Sequence, residues 1–396
     1  MTPLDEFRTR IKSWLEENCP ASMQTPLVND DEEVWGGRNE QIKLADSKLW
    51  FERMAHAGLT APTLAKEYGG AGLSGAEAAI FDEEHRRLGC RPALKSIGIW
   101  MLAPVILRYG TEAQKLAFLP PMCRGEVRWC QGYSEPGAGS DLASLQMRAE
   151  LEDDHYVVNG QKVWTSQADK SDWIFCLVRT STGGSKREGI SFLLVDMATP
   201  GVTVKPIPLI SGYSPFCETH FENVRVPIIN RIGEENRGWQ IGKEVLEYER
   251  SLISQMRDMN ADEDASLGNL AKRAVGTKNG VIADPILRDR IAQANIDFLC
   301  NKLTLRRSAQ TVAAGRSPGA ETSMFKYYAT ELNKRRRELK VAIEGFQGLG
   351  WEGPGFTAGE LQHTREWLRS RANSIEGGSS EIQLNIIAKR VLALPD

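Results

Sequence analysis

The spacing of apolar residues predicts helices in the first third of the chain. The first helix has apolar residues at intervals of three or four, namely Leu4, Phe7, Ile11 and Leu15. This spacing places them on one helical face. A second helix is predicted over 76–88, directly after a glycine-rich loop. We therefore expect an N-terminal helical domain over residues 1–126.

From residue 127 onward the pattern changes to short β-prone runs separated by Gly, Pro and Ser. The runs cover 155–166, 173–178, 190–195, 202–205 and 219–226. Asn159-Gly160 interrupts the first run, and Asn-Gly is the strongest short signal for a two-residue hairpin turn. The spacing predicts a central antiparallel β-domain over 127–235, built as a small sandwich or barrel.

Helical periodicity returns after Gly238 and continues to the C-terminus. It is seen in the spacing of Leu287, Ile291, Ala294 and Phe298. Residues 259–270 are polar and aperiodic, so we expect a loop between two long helices. A capping box from Ser380 to Gln383 predicts the start of a last helix that ends at Pro395. The predicted fold class is α+β multidomain, with a helical domain over 236–396 after the β-domain.

The charge balance argues against nucleic acid or an anionic membrane as a partner. The 396 residues contain 49 Lys and Arg against 52 Asp and Glu, a net charge of −3, which gives no bulk positive field. No apolar run reaches the roughly 20 residues of a spanning helix, and the first residues are acidic where an export signal is basic. Seven scattered cysteines without C-x-x-C spacing favour reduced thiols in a cytoplasmic protein.

Two glycine-rich stretches and the histidines give weaker signals. Residues 70–75 and 348–353 both match G-x-G-x-x-G, but neither follows a predicted strand, so we do not expect a dinucleotide-binding βαβ unit. The five histidines have no paired spacing with one another or with cysteine. No metal site is predicted.

Four stretches contain residue types that can hold a polar ligand or move a proton. They are GYSEPGAGSD at 132–141, WTS at 164–166, EYER at 247–250 and IEGGSSEIQ at 375–383. Small residues let a backbone approach a ligand closely, and free amides and hydroxyls can bind a ring edge or a phosphate. Taken alone, the first stretch is typical of an ordinary glycine-rich turn and the third of a solvated surface ion pair. The second is equally consistent with a core tryptophan, and the fourth is consistent with a simple helix entry. Only their co-occurrence favours a functional interpretation.

In this order the stretches resemble the acyl-CoA dehydrogenase family over essentially the whole chain. Further segments that carry the resemblance are KEYGGAGLS at 66–74, YGTEAQK at 109–115, Leu119-Pro120, Gly125-Glu126, NGQKVWTS at 159–166, FENVRVP at 221–227, and 376–390. The resemblance implies N-terminal helices, a central β-domain and a C-terminal four-helix bundle. It also implies FAD at their junction, with a partner subunit completing the cofactor site.

The family's reaction explains why these residue types are needed. A carboxylate base removes the proton next to the thioester carbonyl, and a hydride leaves from the next carbon to flavin N5. The product is a trans-2-enoyl-CoA, and the developing enolate oxygen needs fixed donors. The resemblance further implies a role in lipid catabolism or β-oxidation, electron-transfer flavoprotein as acceptor, and a homotetramer or a heterotetramer with a related subunit.

The resemblance assigns roles to individual residues. For FAD it implies Gln131, Tyr133, Ser134, Ser140, Trp164, Ser166, Gly348, Ser379 and Glu381. Tyr133 and Ser134 would face the flavin pyrimidine, while Trp164 would face the ring and Ser166 its N5. Gly348 would let the adenosine half pass the partner chain. For the acyl-CoA substrate the resemblance implies Ser140, Arg250 and Gly377.

Two glutamates compete for the role of catalytic base. Many family members carry the base six residues before the final Gln of the C-terminal motif, and that position is Gly377 here, with Glu376 one residue early. A branch that includes isovaleryl-CoA dehydrogenase-like and steroid-side-chain enzymes carries the base in the acid-Arg pair of the earlier helix. Glu249 is that acid in this chain. We favour Glu249, with Glu376 as the alternative.

The chain also departs from the family pattern at two places. The usual Arg-x-x-Phe-Gly element for the FAD phosphate is replaced by residues 278–288, and the usual Gln before the glycine-rich turn is Glu344. Two alternative functions therefore stay open. One is a subunit of a heteromeric acyl-CoA dehydrogenase with a partly structural role, and the other is a flavin oxidase or monooxygenase on the same fold.

Overall fold

The computed structural model divides the chain into two compact units. It describes residues 2–25, 32–258, 263–313 and 322–395, without the side chains of 250–258, 263–266, 309, 312, 313 and 322. The first unit comprises Met1–Ile207 and Pro215–Glu249, and the second comprises Pro208–Ser214 and Arg250–Asp396. The order of elements is helices, then a sheet, then helices, as the sequence predicts.

Five α-helices open the first unit. They are α1 (Pro3–Asn18), α2 (Ala45–His56), α3 (Gly75–Arg87), α4 (Ala103–Tyr109) and α5 (Glu112–Cys123). Three of these helices start with a capping box, at Thr2, Ser74 and Thr111. In each box the hydroxyl stabilises the helix start because it accepts a backbone N–H that the first turn leaves unpaired. The predicted apolar face of α1 is buried at Phe7 and Ile11, whereas Leu4 is exposed.

The sheet of the first unit has eight strands. They are β1 (Trp129–Gly132), β2 (Arg148–Glu152), β3 (His155–Ser166), β4 (Trp173–Arg179), β5 (Ile190–Asp196), β6 (Val202–Ile207), β7 (Phe216–Pro227) and β8 (Arg231–Ile232). The order is β6-β7-β3-β2-β4-β5-β8, with β1 on β4. Most pairs are antiparallel, as predicted, but β1 runs parallel to β4. Strand β4 is buried on both faces, with Phe175 and Leu177 in one core and Ile174 and Cys176 in another.

The hairpin predicted at Asn159-Gly160 is wrong. Strand β3 runs straight through this dipeptide, and the register against β7 shifts between Val158 and Gly160. Gly160 has φ +145°, and a Cβ there would lie 2.9 Å from the Cα of Met147. Glycine is therefore required at this position by a β-bulge and by the close approach of the Met147 backbone. The turn into β3 lies earlier, after Glu152.

Helix α6 (Gly238–Asp258) begins directly after the sheet. Ile241 and Val245 are buried in the same core as Phe175 and Phe192 of the sheet and Tyr133. The first turns of α6 are thus fixed to the segment that follows β1, which positions the part of the helix that carries Glu249.

In its described residues the second unit has helices and one short hairpin as its regular elements. Its elements are α7 (Glu263–Val275), β9 (Thr277–Lys278), β10 (Val281–Ile282), α8 (Pro285–Ala313), α9 (Thr322–Glu344), α10 (Ala358–Ser370) and α11 (Ser380–Ile386). Its core joins Leu267 and Ala271 of α7, Leu287 and Ile291 of α8, and Leu339 of α9. Among the residues that the structure describes, no helix is long and apolar enough to cross a bilayer.

Three predictions for this region need correction. Residues 263–270 of the predicted loop are helical, and 259–262 lie outside the described residues. The helical pattern is interrupted at Asn279-Gly280, where both residues have positive φ and join β9 to β10. The last helix is capped by Ser379, whose hydroxyl accepts the N–H of Ile382. The α-helix ends at Ile386 and continues as a π-helical turn to Val391, four residues before Pro395.

Candidate functional site

The loop over residues 132–141, which we call the glycine loop, is a tight turn with an open outer edge. Glu135 and Ala138 exchange backbone hydrogen bonds of 3.0 Å in both directions. A Cβ built on Gly137 or Gly139 would meet no atom within 4 Å. Ser140, directly after Gly139, is exposed. The loop therefore presents bare backbone and a hydroxyl to a ligand.

A buried ion pair lies under the glycine loop. Lys162 is fully buried, and its Nζ donates to Glu135 Oε1 at 2.8 Å and to the Tyr133 carbonyl at 3.1 Å. The Glu135 carboxylate also accepts the backbone N–H groups of Gln146 at 2.6 Å and Met147 at 3.0 Å. Burial lowers the pKa of Lys162, while the charge of Glu135 acts in the opposite direction.

Strand β3 ends beside this loop with an exposed tryptophan. The N–H of Val163 donates to the Ser134 carbonyl at 2.9 Å. The next residue, Trp164, has φ +61° and is 55% exposed, and its ring meets Phe216 edge-on at 6.1 Å. An aromatic residue in the left-handed region is strained, and such strain is concentrated at functional sites. Ser166 follows on the strand and is partly exposed.

Tyr133 does not present its side chain to the open edge of the loop. Its phenol is buried in the core and donates to the Gly242 carbonyl of α6 at 3.3 Å, while its own carbonyl accepts from Lys162. The phenol thus packs against α6, and the expectation that Tyr133 faces the flavin pyrimidine stays a prediction. Gln131 is partly buried in β1, and Ser134 is partly exposed.

Glu249 lies on the face of α6 that packs toward this loop. It is seven residues after Gly242 and four after Val245, which places all three on one side of the helix. The Glu249 side chain is partly buried. Burial raises the pKa of Tyr133, and the negative charge of Glu249 raises it further. The carboxylate is thus close enough to Tyr133, the second residue of the glycine loop, to affect the ionisation of its phenol.

The unpaired polar atoms at the end of β3 suit a ligand that carries hydrogen-bond donors and acceptors of its own. Thr165 Oγ1 and Gln167 Oε1 are buried and have no hydrogen-bond partner among the described residues. Trp164, which offers a flat aromatic surface, directly precedes Thr165 in the sequence. A planar heterocycle with polar edges, such as the isoalloxazine of FAD, suits this combination of features.

The second unit contains the turn over residues 375–379, which we call the Glu376 turn. The Glu376 carboxylate accepts from Arg369 Nη2 at 2.8 Å and from the Asn373 amide. Gly377 and Gly378 have φ +61° and +89°. Both carboxylate oxygens of Glu376 are therefore hydrogen-bonded within the second unit.

The remaining predicted residues of the second unit have structural roles in the chain itself. Ser379 caps α11, and this hydroxyl and the Glu381 backbone N–H lower the pKa of the exposed Glu381. A Cβ on Gly348 would lie 2.5 Å from the Val341 carbonyl, so packing within the unit already requires glycine there. The side chain of Arg250 lies outside the described residues.

The two departures from the family pattern have clear local structures. Glu344 is buried and pairs with His363 Nδ1 at 2.5 Å, and burial raises its pKa. Residues 278–282 form the β9–β10 hairpin, and Arg288 Nη1 donates to the Ile282 carbonyl at 3.5 Å.

Sequence reasoning missed the residues that support the site. Glu135 and Lys162 form the buried pair, and Glu244 of α6 accepts from Arg108 at 3.0 Å and Tyr109 at 2.8 Å. The signal for Lys162 was its position in β3, where alternation with Gln161 and Val163 points it inward. Nothing in the sequence indicated that Glu135, 27 residues earlier, is its partner.

All three segments of the chain match domains of one family. Residues 7–126 match the acyl-CoA dehydrogenase N-terminal domain, residues 130–224 the middle domain, and residues 236–392 the C-terminal domain.

Individual relatives point in the same direction. The chain is 34% identical over 396 residues to acyl-CoA dehydrogenase IpdE1 of Mycobacterium tuberculosis, covering 100% of this chain and 99% of that protein. It is 28% identical to the mitochondrial long-chain specific acyl-CoA dehydrogenase of Sus scrofa, over 87% of this chain and 79% of that protein.

The chain is also similar in fold to solved structures. The Tcur3481-Tcur3483 steroid ACAD has a TM-score of 0.76 at 27% identity, covering 100% of this chain and 99% of that chain. The ChsE4-ChsE5 complex from Mycobacterium tuberculosis has a TM-score of 0.73 at 30% identity, with the same coverage.

Proposed function

Because the chain belongs to the acyl-CoA dehydrogenase family, we propose that it oxidises an acyl-CoA thioester to the trans-2-enoyl-CoA with Glu249 as the base. Members of this family are FAD-dependent oxidoreductases. The observation that carries the proposal is that the first unit alone holds the glycine loop, the exposed Trp164 and the partly buried Glu249.

Each part of this arrangement has a chemical task. FAD, when bound, supplies the acceptor for the hydride that leaves the second carbon of the acyl chain. Trp164 and Ser166 would hold the ring system, and Gln131, Ser134 and Ser140 would offer polar contacts at the glycine loop. Glu249 would take the proton next to the thioester carbonyl, since a carboxylate within hydrogen-bond reach of an acidified C–H can act as general base.

The environment of Glu376 supports Glu249 as the base. Both oxygens of Glu376 accept hydrogen bonds from Arg369 and Asn373, so this carboxylate already serves as an acceptor for protein donors. Glu376 also lies one residue before the position at which many relatives carry their base. We retain Glu376 as the competing assignment.

For the substrate we propose a CoA ester with a steroid-type acyl group. The basis is the likeness to structures described as a steroid ACAD. In keeping with the family, the substrate contacts would come from Ser140, Arg250 and Gly377, the FAD contacts of the second unit from Gly348, Ser379 and Glu381, and electrons would pass to electron-transfer flavoprotein. Such a protein would act in lipid catabolism in the cytoplasm.

An anaerobic titration tests the reaction and the substrate together. The purified protein with FAD is mixed with straight-chain, branched and steroid-side-chain CoA esters while the visible flavin absorbance is recorded. We expect stoichiometric bleaching with a steroid-type ester and weaker bleaching with straight chains. If no CoA thioester bleaches the flavin and reduced flavin reacts rapidly with oxygen, the oxidase or monooxygenase alternative replaces this proposal.

A second candidate is a subunit of a heteromeric enzyme. It is favoured by the likeness to the ChsE4-ChsE5 complex and to the Tcur3481-Tcur3483 enzyme, each of which is named after two proteins. Purifying the chain alone separates the two cases. A yellow, active homotetramer supports the homomeric enzyme, whereas a colourless product that turns yellow only with a related subunit supports the heteromer.

A further inference from the structure

Lys162 is the most deeply buried charged residue of the region around the proposed flavin site. It is 0% exposed, in the interior of strand β3, two residues before the exposed Trp164. A buried ammonium group is unfavourable unless it is paired and hydrogen-bonded. Its partners are Glu135 and the Tyr133 carbonyl, both in the glycine loop.

The Glu135 carboxylate joins three stretches of backbone through this pair. One oxygen accepts from Lys162 of β3 and from the Met147 N–H, and the other accepts from the Gln146 N–H just before β2. The glycine loop, strand β3 and the segment just before β2 are thereby joined at one carboxylate. The outer edge of the loop, at Gly137 and Gly139, has no neighbour at the Cβ positions.

We propose that the Glu135–Lys162 pair is a positioning device, which sets the distance between the glycine loop and Trp164 and so prepares the loop to bind FAD. The proposal rests on the proposed function, because it assigns the flavin to this surface. Neither residue contacts the reacting atoms, and both act through the backbone that they hold.

The hydrogen bonds around the pair explain how it aligns the start of the glycine loop with strand β3. The Lys162 Nζ bond to the Tyr133 carbonyl and the Val163 N–H bond to the Ser134 carbonyl are adjacent along both segments. Together they align residues 133–134 with residues 162–163, directly before Trp164. Without the lysine, only the Val163 bond holds the start of the loop against β3 among the hydrogen bonds found in the described residues. The loop would then sample several registers, and FAD binding would have to select one of them.

The test compares this pair with ion pairs of the first unit in which the carboxylate is equally buried but the arginine partners are exposed. Lys162→Met and Glu135→Gln each remove one charge of the pair, and a double variant removes both. Glu84→Gln is the matched control, because Glu84 is as buried as Glu135 and accepts from Arg8 and Arg87 at 2.7 Å, but lies in helix α3. For each protein, FAD is removed, the full-length apoprotein is titrated with FAD, and thermal unfolding is measured separately.

We expect the FAD dissociation constant to rise at least tenfold in Lys162→Met and Glu135→Gln and to change less than twofold in Glu84→Gln. The double variant should regain thermal stability, because no unpaired buried charge remains, but should not regain FAD affinity. A double variant that recovers both properties would show that the pair only stabilises the fold. The inference also fails if Glu135→Gln, the variant that preserves the shape of the side chain, binds FAD as tightly as the wild type.

The outcome for the wild type separates this inference from the proposed function. If the wild-type apoprotein takes up FAD and all variants bind it equally, the positioning role is wrong and the flavin enzyme stands. If the wild-type protein binds no FAD, alone or with a related subunit, the proposed function fails first, and the positioning role fails with it.

Discussion

The glycine loop of the first unit and the Glu376 turn of the second contain the same ingredients in different surroundings. Each combines a glutamate, two or more glycines and at least one serine within ten residues. In the glycine loop the Glu135 side chain is 7% exposed and pairs with a fully buried lysine. In the Glu376 turn the carboxylate is 40% exposed and pairs with a partly exposed Arg369.

This contrast shows that burial, more than residue type, determines what a carboxylate does in a glycine-rich turn. Removing one partner of a buried ion pair costs about 3–5 kcal/mol, because the other charge stays buried and unpaired. An exposed pair contributes about 0–1 kcal/mol. Loss of the Glu135 charge should therefore lower the free energy of unfolding strongly, whereas loss of the Glu376 charge should change it little.

The sharpest test of the comparison concerns catalysis. We expect Glu249→Gln to lower turnover by about 10²- to 10⁴-fold, since that is the usual contribution of a general base. FAD should remain bound, and substrate should no longer bleach it. Glu376→Gln should stay within tenfold of the wild type. Single-turnover flavin reduction measures both effects without interference from product release.

The reverse result would break the comparison. If Glu376→Gln loses reduction and Glu249→Gln retains it, the Glu376 turn is the catalytic segment, in spite of the hydrogen bonds from Arg369 and Asn373. In that event the one-residue displacement from the family position does not disqualify Glu376. FAD content and thermal unfolding of both variants show whether each protein is intact.

The glycines of the two segments should respond to alanine in opposite ways. Gly139→Ala adds a Cβ in open space, so we expect stability to be unchanged or to rise by about 0.4–1 kcal/mol through the unfolded state. FAD affinity should fall because the Cβ occupies the ligand side of the loop. Gly378→Ala places a side chain at φ +89° and 2.7 Å from the Gln383 amide, which should cost about 1–2 kcal/mol.

Denaturant unfolding of the apoproteins measures both free energies, and FAD titration measures the affinities. A loss of stability in Gly139→Ala would mean that the glycine loop is packed against protein rather than available to a ligand. If Gly378→Ala is neutral, the backbone of the Glu376 turn can adopt another conformation at little cost.

Local signals in the sequence predicted the order of elements but not always what a dipeptide does. Asn279-Gly280 forms a true hairpin turn between two two-residue strands. Asn159-Gly160 lies inside a twelve-residue strand whose neighbours β2 and β7 already pair with it on both sides. Cross-strand pairing supplied by distant segments outweighs the turn preference of the dipeptide, and a single sequence does not reveal those neighbours.

The candidate site shows the same limit. The motif resemblance located the glycine loop, Trp164 and Glu249 because these residues lie in short contiguous stretches. It did not reveal that the Tyr133 phenol is buried against Gly242, or that Lys162 reaches Glu135. Both facts depend on contacts between residues that are 27 or more positions apart, and such contacts are set by tertiary packing.

The smallest expected effect concerns the ion pair of the Glu376 turn. Arg369→Gln removes the charged partner of Glu376 and leaves the Asn373 amide in place. With side chains 26% and 40% exposed, the change in unfolding free energy should be below about 1 kcal/mol. Turnover at neutral pH should be unaffected if Glu249 is the base. If Glu376 is the base, loss of the arginine removes a hydrogen bond that orients its carboxylate, and turnover falls. Turnover, measured beside the same variant in a Glu376→Gln background, decides whether the arginine acts on catalysis through Glu376 or only holds the turn.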